Sequence, residues 1–166
     1  MNYKNLLLIF CCTVCINCKS QNIGYNKQHE NFLNWFLKQR SEKIVSKKTA
    51  LLNTGYINYL LEGTNFSNKD SIGFIKQINE SNSFLYSYTT FSKKTFIEDS
   101  VIHTLSINPS HLFLKISKPI FFHNKDRVWI FVEEYCGDLC GSGMIEVYKK
   151  TKSGYVLLFK KLIWIS

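Results

Sequence analysis

Between Lys118 and Ser166 four apolar runs are separated by turn chemistry, and this pattern restricts the fold more than any other stretch of the chain. Arg127 to Tyr135 reads Arg-Val-Trp-Ile-Phe-Val-Glu-Glu-Tyr, dominated by the β-branched and aromatic types that fit a pleated surface. Before it, Pro119-Ile-Phe-Phe-His123 is joined through Asn124-Lys-Asp126, whose Asn and Asp side chains tolerate tight turns. After it, Met144-Ile-Glu-Val-Tyr148 alternates, Thr151-Lys-Ser-Gly154 supplies a turn with Gly where positive φ is needed, and Tyr155 to Ile165 is a long apolar run. Short connections make sequential strands antiparallel neighbours, so the stretch predicts a four-strand meander. Pro119 has no N–H to give to a ladder and belongs at a strand start or on an edge.

One turn of this region is Cys136-Gly-Asp-Leu-Cys140-Gly-Ser-Gly143. Its glycines let the backbone fold back and bring the two sulfurs together. Oxidation would close a short loop, worth roughly 2 kcal/mol from chain entropy, and would hold a hairpin tip rather than the fold. Two reduced structural cysteines are the alternative. Gly137, Asp138, Gly141, Ser142 and Gly143 form a candidate binding loop.

At the other end, Lys4 precedes an apolar stretch from Leu6 to Ile16, which fits a secretory signal and is too short to span a bilayer. Cys15-Ile-Asn-Cys18-Lys-Ser follows. This resembles the signal of bacterial lipoproteins, although Asn17 and Cys15 stand where that family prefers a small residue and a Leu-like one. The resemblance implies a signal peptide over 1–17, a lipidated Cys18 as the first mature residue, a polar tether over 18–26 and one domain over 27–166. It implies an exported, membrane-anchored protein facing the periplasm or the cell surface; cleavage near Gln21 would instead leave a soluble secreted protein, and retention in the cytoplasm is the third possibility. In an exported chain, Cys136 and Cys140 are the even pair left for a disulfide.

About 150 mature residues suffice to bury close to 70% of the unfolded surface without a disulfide framework. The formal charge is +9, of which Lys4 contributes one, leaving +8 for the exported part. The lysines are scattered, in small clusters at Lys47-Lys48, Lys93-Lys94, Lys149-Lys150 and Lys160-Lys161. Such a surface is ordinarily a solvated one, with attraction to anionic headgroups or acidic glycans as its functional counterpart. The sequence carries no nucleic-acid-binding motif.

In the middle, Lys27 to Lys48 reads as the main helix, with Phe32, Leu33, Phe36, Leu37, Ile44 and Val45 on its apolar side. Gly55 to Gly63 spaces Tyr56, Ile57, Leu60 and Leu61 as a short helix, though a strand would use the same residues. Ser67-Asn-Lys-Asp70 is a capping-box-like start for a helix to about Asn79. Phe84 to Phe96 alternates as a strand or extended loop, Phe96 to Ser106 is ambiguous, and His111 to Lys118 reads as another strand. Helices followed by antiparallel strands give an α+β fold, N-terminal helices packed on one face of a curved antiparallel sheet. Lys118-Pro-Ile-Phe121, Trp129-Ile-Phe-Val132, the cysteine loop and Trp164-Ile-Ser166 resemble small exported bacterial proteins, and the element order resembles nuclear-transport-factor-like or cystatin-like α+β rolls. Those rolls include enzymes and non-catalytic binding domains alike, so the likeness does not fix function.

Spacing argues against most chemistry. Cys136 and Cys140 lack nearby histidines and the usual zinc-knuckle interval, so no metal or cofactor is expected. Thiol redox chemistry would place a cysteine at a helix start, and here the first follows a strand. Acid–base hydrolysis could use Glu134 or Asp138 with His123, since Glu133 and Glu134 point to opposite faces. Ser142 is followed by a strand and does not form a nucleophile elbow. The leading expectation is a non-catalytic cell-envelope lipoprotein binding an unknown protein or glycan partner through the cysteine loop and a concave sheet face. The alternatives are a small hydrolase or isomerase with a pocket inside the roll, or an immunity or inhibitor lipoprotein.

Overall fold

The computed structural model describes residues 27–42, 44–56, 67–82, 84–86, 94–98, 100–101, 112–136 and 140–166. They form an α+β fold of two helices and a seven-stranded, mostly antiparallel open sheet.

Helix α1 is Lys27–Lys38, and it buries His29, Phe32, Leu33, Phe36 and Leu37 along one stripe. Their i, i+3, i+4, i+7 spacing is that of an amphipathic helix lying on a core. Burying each of the four apolar side chains is worth about 2 kcal/mol. The helix stops well short of Lys48: Gln39 and Arg40 donate to Phe36 and Leu37, tightening the last turn, and the chain then enters strand β1, Ile44–Ser46. Ile44 and Val45 fall two helical turns beyond Leu37, so periodicity alone placed them on the helix; as β-branched residues they fit a buried strand equally well, and tertiary pairing decides.

β1 runs parallel to β2 (Thr95–Ile97) on one side and to β3 (Phe113–Ile116) on the other. Helix α2, Asn68–Ser81, lies in the crossover between β1 and β2, so the helices do not all precede the strands. Its start is the capping box read from the sequence: Ser67 Oγ accepts from the Asp70 N–H, and Asp70 accepts from the Ser67 N–H. It runs two residues past Asn79, to Ser81.

β4 (Ile120–Phe121), β5 (Arg127–Tyr135), β6 (Gly141–Thr151) and β7 (Gly154–Ile165) follow, each antiparallel to the next. β3 and β4 share one edge of β5, Ile116 opposite Val132 and Ile120 opposite Trp129. Pro119 sits at the break between them, where no ladder N–H is required. Ser117 bridges the break: its N–H donates to the Phe131 carbonyl and its Oγ accepts from the Phe131 N–H.

The alternation of β5 divides the core in two. Val128, Ile130 and Val132 pack with α1, Leu114, Ile116 and Tyr148, whereas Trp129 and Phe131 pack with Phe74 and Ile78 of α2, Ile145 and Val147. The two helices therefore cover opposite faces, not one, because β5 is apolar on both sides and each side must be removed from water. The concave sheet face expected from the sequence as part of a binding surface is packed against these helices at β5. The short helix read over Gly55 to Gly63 lies almost wholly outside the described residues, and so do Cys18, Gly137, Asp138, His103 and His111.

Candidate functional site

At the far end of β5 from the Asn124–Asp126 turn, Cys136 and Cys140 are joined by a disulfide, with Cα atoms 5.1 Å apart. The Cys136 N–H donates to the Cys140 carbonyl at 2.9 Å, closing the loop on itself. The strand that leaves it is tied to the end of β7: Gly141 and Ser166 exchange backbone hydrogen bonds. Gly143 has a packing reason to be glycine. A Cβ there would lie 2.0 Å from Trp164 Nε1, and one at Gly141 would lie 3.2 Å from the same ring. The indole thus occupies the space that side chains would take, covering the bare backbone beside the loop. Gly143→Ala is expected to lower stability by about 2 kcal/mol, since a rigid ring must be displaced; urea unfolding with Trp164 fluorescence measures it, and a loss under about 0.5 kcal/mol would mean that the ring yields freely.

Glu134 is held by an ion pair with Arg40, 3.0 Å from Nη1 to Oε1. Arg40 also reaches Glu146 at 2.5 Å, and Glu146 accepts from the Tyr148 hydroxyl at 2.5 Å and faces Lys160 Nζ at 3.3 Å. The guanidinium lies 4.6 Å from the centre of the Phe36 ring. Burial pushes the Glu146 pKa up, but Arg40, the Tyr148 hydroxyl and Lys160 outweigh it and hold the carboxyl below the ordinary range. Burial and the hydrogen bond to Glu146 raise the Tyr148 phenol well above its ordinary value. A carboxylate whose oxygens are engaged by three donors is a fixed counter-ion rather than a proton acceptor. The network fastens the chain leaving α1 onto β5 and β6. Sequence reasoning passed over it, although the signal was present: Glu146 is the only charge in an apolar strand segment, and a charge inside a sheet covered on both sides needs a partner.

His123 lies at the opposite end of the sheet, just beyond β4. Its N–H donates to Asp70 Oδ1 at 2.9 Å, joining the start of α2 to the β4–β5 turn. Burial raises the Asp70 pKa, and the hydrogen bonds from Ser67 and His123 bring it below its ordinary value. Gln77 completes the same junction, its side-chain amide bonding both the N–H and the carbonyl of Phe121 as a neighbouring strand would. Glu134 and His123 are thus not brought together; six strand residues, roughly 20 Å, separate Glu134 from Val128, the partner of Phe121.

Around His123 a cleft of about 270 Å³ opens between α1, α2 and the β4–β5 turn, lined by Gln28, His29, Lys69, Asp70, Gln77 and Lys125 among others. His29 forms its inner wall, edge-on to Phe121 with ring centres 5.1 Å apart. Burial, and next the charge of Lys118, lower its pKa from 6.5 to about 4 despite a hydrogen bond with the Pro119 backbone. Among the described residues no three His, Cys, Asp or Glu side chains converge as a metal site would require.

The third feature is β7 itself. It ends the strand order, pairs only with β6 among the described residues, and exposes Val156, Leu157, Leu158, Leu162 and Ile165, each by 46% or more. Register shifts against β6 fall at Gly143/Met144 and Val147/Tyr148. The fold and these surfaces define an α+β domain with an open sheet and an apolar edge. No family model matches the chain, and no curated protein or solved structure matches it.

Proposed function

We propose that this chain is a non-catalytic, lipid-anchored domain of the cell envelope that binds a partner along the β7 edge and the adjoining disulfide-closed loop. The observation that carries the reading is the exposure of five large apolar side chains on one twelve-residue edge strand. Soluble domains ordinarily blunt or cover such edges, and an uncovered one is a surface for strand addition or apolar docking. Lys160 and Lys161 in the middle of β7, with the two register shifts, oppose indiscriminate pairing and favour a partner that matches this edge in shape and charge. The anchor rests on the lipoprotein-like signal over 1–17, followed by Cys18.

A photo-crosslinking residue placed at Leu157 or Leu162 in living cells is expected to yield one discrete adduct, while the same residue at the exposed Ile72 of α2 yields none. Equal labelling from all three sites, or none from β7, would remove the edge from the account. In the same cells the mature protein should have the mass of a lipid-modified chain beginning at Cys18, and Cys18→Ser should release it from the membrane.

A further inference from the structure

The end of the molecule opposite the disulfide loop carries a second surface. The cleft beside His123 adjoins a wider, shallower depression of about 630 Å³ between the β4–β5 and β6–β7 turns, and both are lined by Gln28 and Lys125. Lys69 stands on the rim of the first; Lys150 and Lys152 stand on the rim of the second. Two acids share these rims: Asp70 bonds Ser67 and the His123 N–H, whereas Asp126 Oδ1 makes no hydrogen bond and lies 3.6 Å from Arg127 Nε. Lys125 holds a left-handed backbone, φ 58°, the one positive φ outside glycine among the described residues. Its N–H donates to the Phe122 carbonyl, and its own carbonyl accepts from Gln28 Nε2. A turn that tolerates this conformation in a lysine sets a cation where the two depressions meet.

Helix α1 begins at Lys27, one residue before Gln28, so the chain enters the described fold at this same end. From Cys18 to Lys27 the backbone reaches at most roughly 30 Å. We propose that this lysine-bearing end lies against the membrane and takes the phosphate groups of anionic phospholipids, seating the domain on the bilayer with the disulfide loop and the Leu162–Ile165 end of β7 directed away. The inference rests on the lipid anchor proposed above. A single lipid anchor is strengthened by a basic patch held at the surface, and each lysine kept within a Debye length of an anionic surface raises binding about fivefold.

The test uses the lipidated full chain reconstituted in vesicles of phosphatidylcholine alone or with phosphatidylglycerol, followed by acetylation of lysines and mass spectrometry. Acetylation of Lys69, Lys125, Lys150 and Lys152 is expected to fall severalfold in the anionic vesicles, to recover in high salt, and to leave Lys160 and Lys161 unchanged. Equal acetylation in both vesicles overturns the proposal while leaving the anchor intact, because the intact mass of the same sample reports lipid at Cys18 separately. Protection by inorganic phosphate in neutral vesicles, at the level given by phosphatidylglycerol, would also overturn it, showing a site for soluble anions. The variant K125E/K150E/K152E is expected to abolish the difference between vesicles, and K38E/K48E/K76E, with the same charge change at three exposed lysines outside both depressions, to retain it; equal loss in both would reduce the effect to net charge.

Discussion

Arg40→Ala is expected to lower the unfolding free energy by about 3 kcal/mol, a large share of what a domain of this size possesses. The size follows from what is left behind. Glu146 is 2% exposed, its carboxylate cannot regain water when the guanidinium is removed, and only the Tyr148 hydroxyl and Lys160 remain to hold it. Removing one partner of a buried pair typically costs about 3–5 kcal/mol, and the lower end applies because two donors persist. Arg40 also loses its contact with the Phe36 ring, and Glu134 its partner. Pairing Arg40→Ala with Glu146→Gln should recover much of the loss, since a neutral amide no longer needs a cation. A double-mutant cycle in urea measures the coupling. A loss below about 1 kcal/mol for Arg40→Ala, with no recovery in the double variant, would mean that the pair behaves like an exposed salt bridge.

Acidification is expected to destabilise the fold through His29. His29 holds its pKa at about 4 in the folded state, against 6.5 ordinarily. Between those values the unfolded chain carries a proton that the folded chain refuses, so unfolding takes up a proton and stability falls as pH falls. The contribution is complete above about pH 6.5 and lost on approaching pH 4, in all about 3 kcal/mol. Glu146 and Asp70 are depressed carboxylates, so their stabilisation is present above the unfolded carboxylate range and lost only below it. Among the described groups with a resolved shift, the window from about pH 6.5 to 4.5 therefore belongs to His29. His29→Leu, which keeps an apolar side chain against Phe121, should flatten urea midpoints across that window relative to the parent chain. A parallel slope in both proteins would place the acid sensitivity elsewhere.

Much of the architecture was legible in the chain because local chemistry and global packing agree there. Arg127–Tyr135 is a strand with the bounds its β-branched and aromatic run suggested, and Gly154 begins β7 at φ +135° beside Trp35, as its turn position required. The Ser67–Asp70 capping box is local chemistry, set within four residues, and the structure contains it. The disulfide followed from an even cysteine pair, four apart, beside glycines. Other features were not legible. Ile44 and Val45 suit a helix face or a parallel strand, and only the partners Phe96 and Leu114, some fifty and seventy residues away, choose between them.

The candidate surfaces divide in the same way. Lys149-Lys150 and the Asn124–Asp126 turn were visible as a lysine cluster and a turn, but nothing in their spacing told that the two turns and the start of α1 would meet around Lys125. Glu134 was visible as a strand-end carboxylate, yet its bond to Arg40 crosses ninety-four residues. By itself, the sequence determined the α+β class, the C-terminal strands, the helix cap and the closed cysteine loop, since each depends on neighbours in the chain or on a period of two. Tertiary structure alone decided that β1 lies inside the sheet, that the helices take opposite faces, that Glu134 and His123 stay apart, and that β7 ends the strand order of the described residues. Those outcomes depend on which apolar surfaces find one another across long loops, and many distant pairings satisfy the same local pattern.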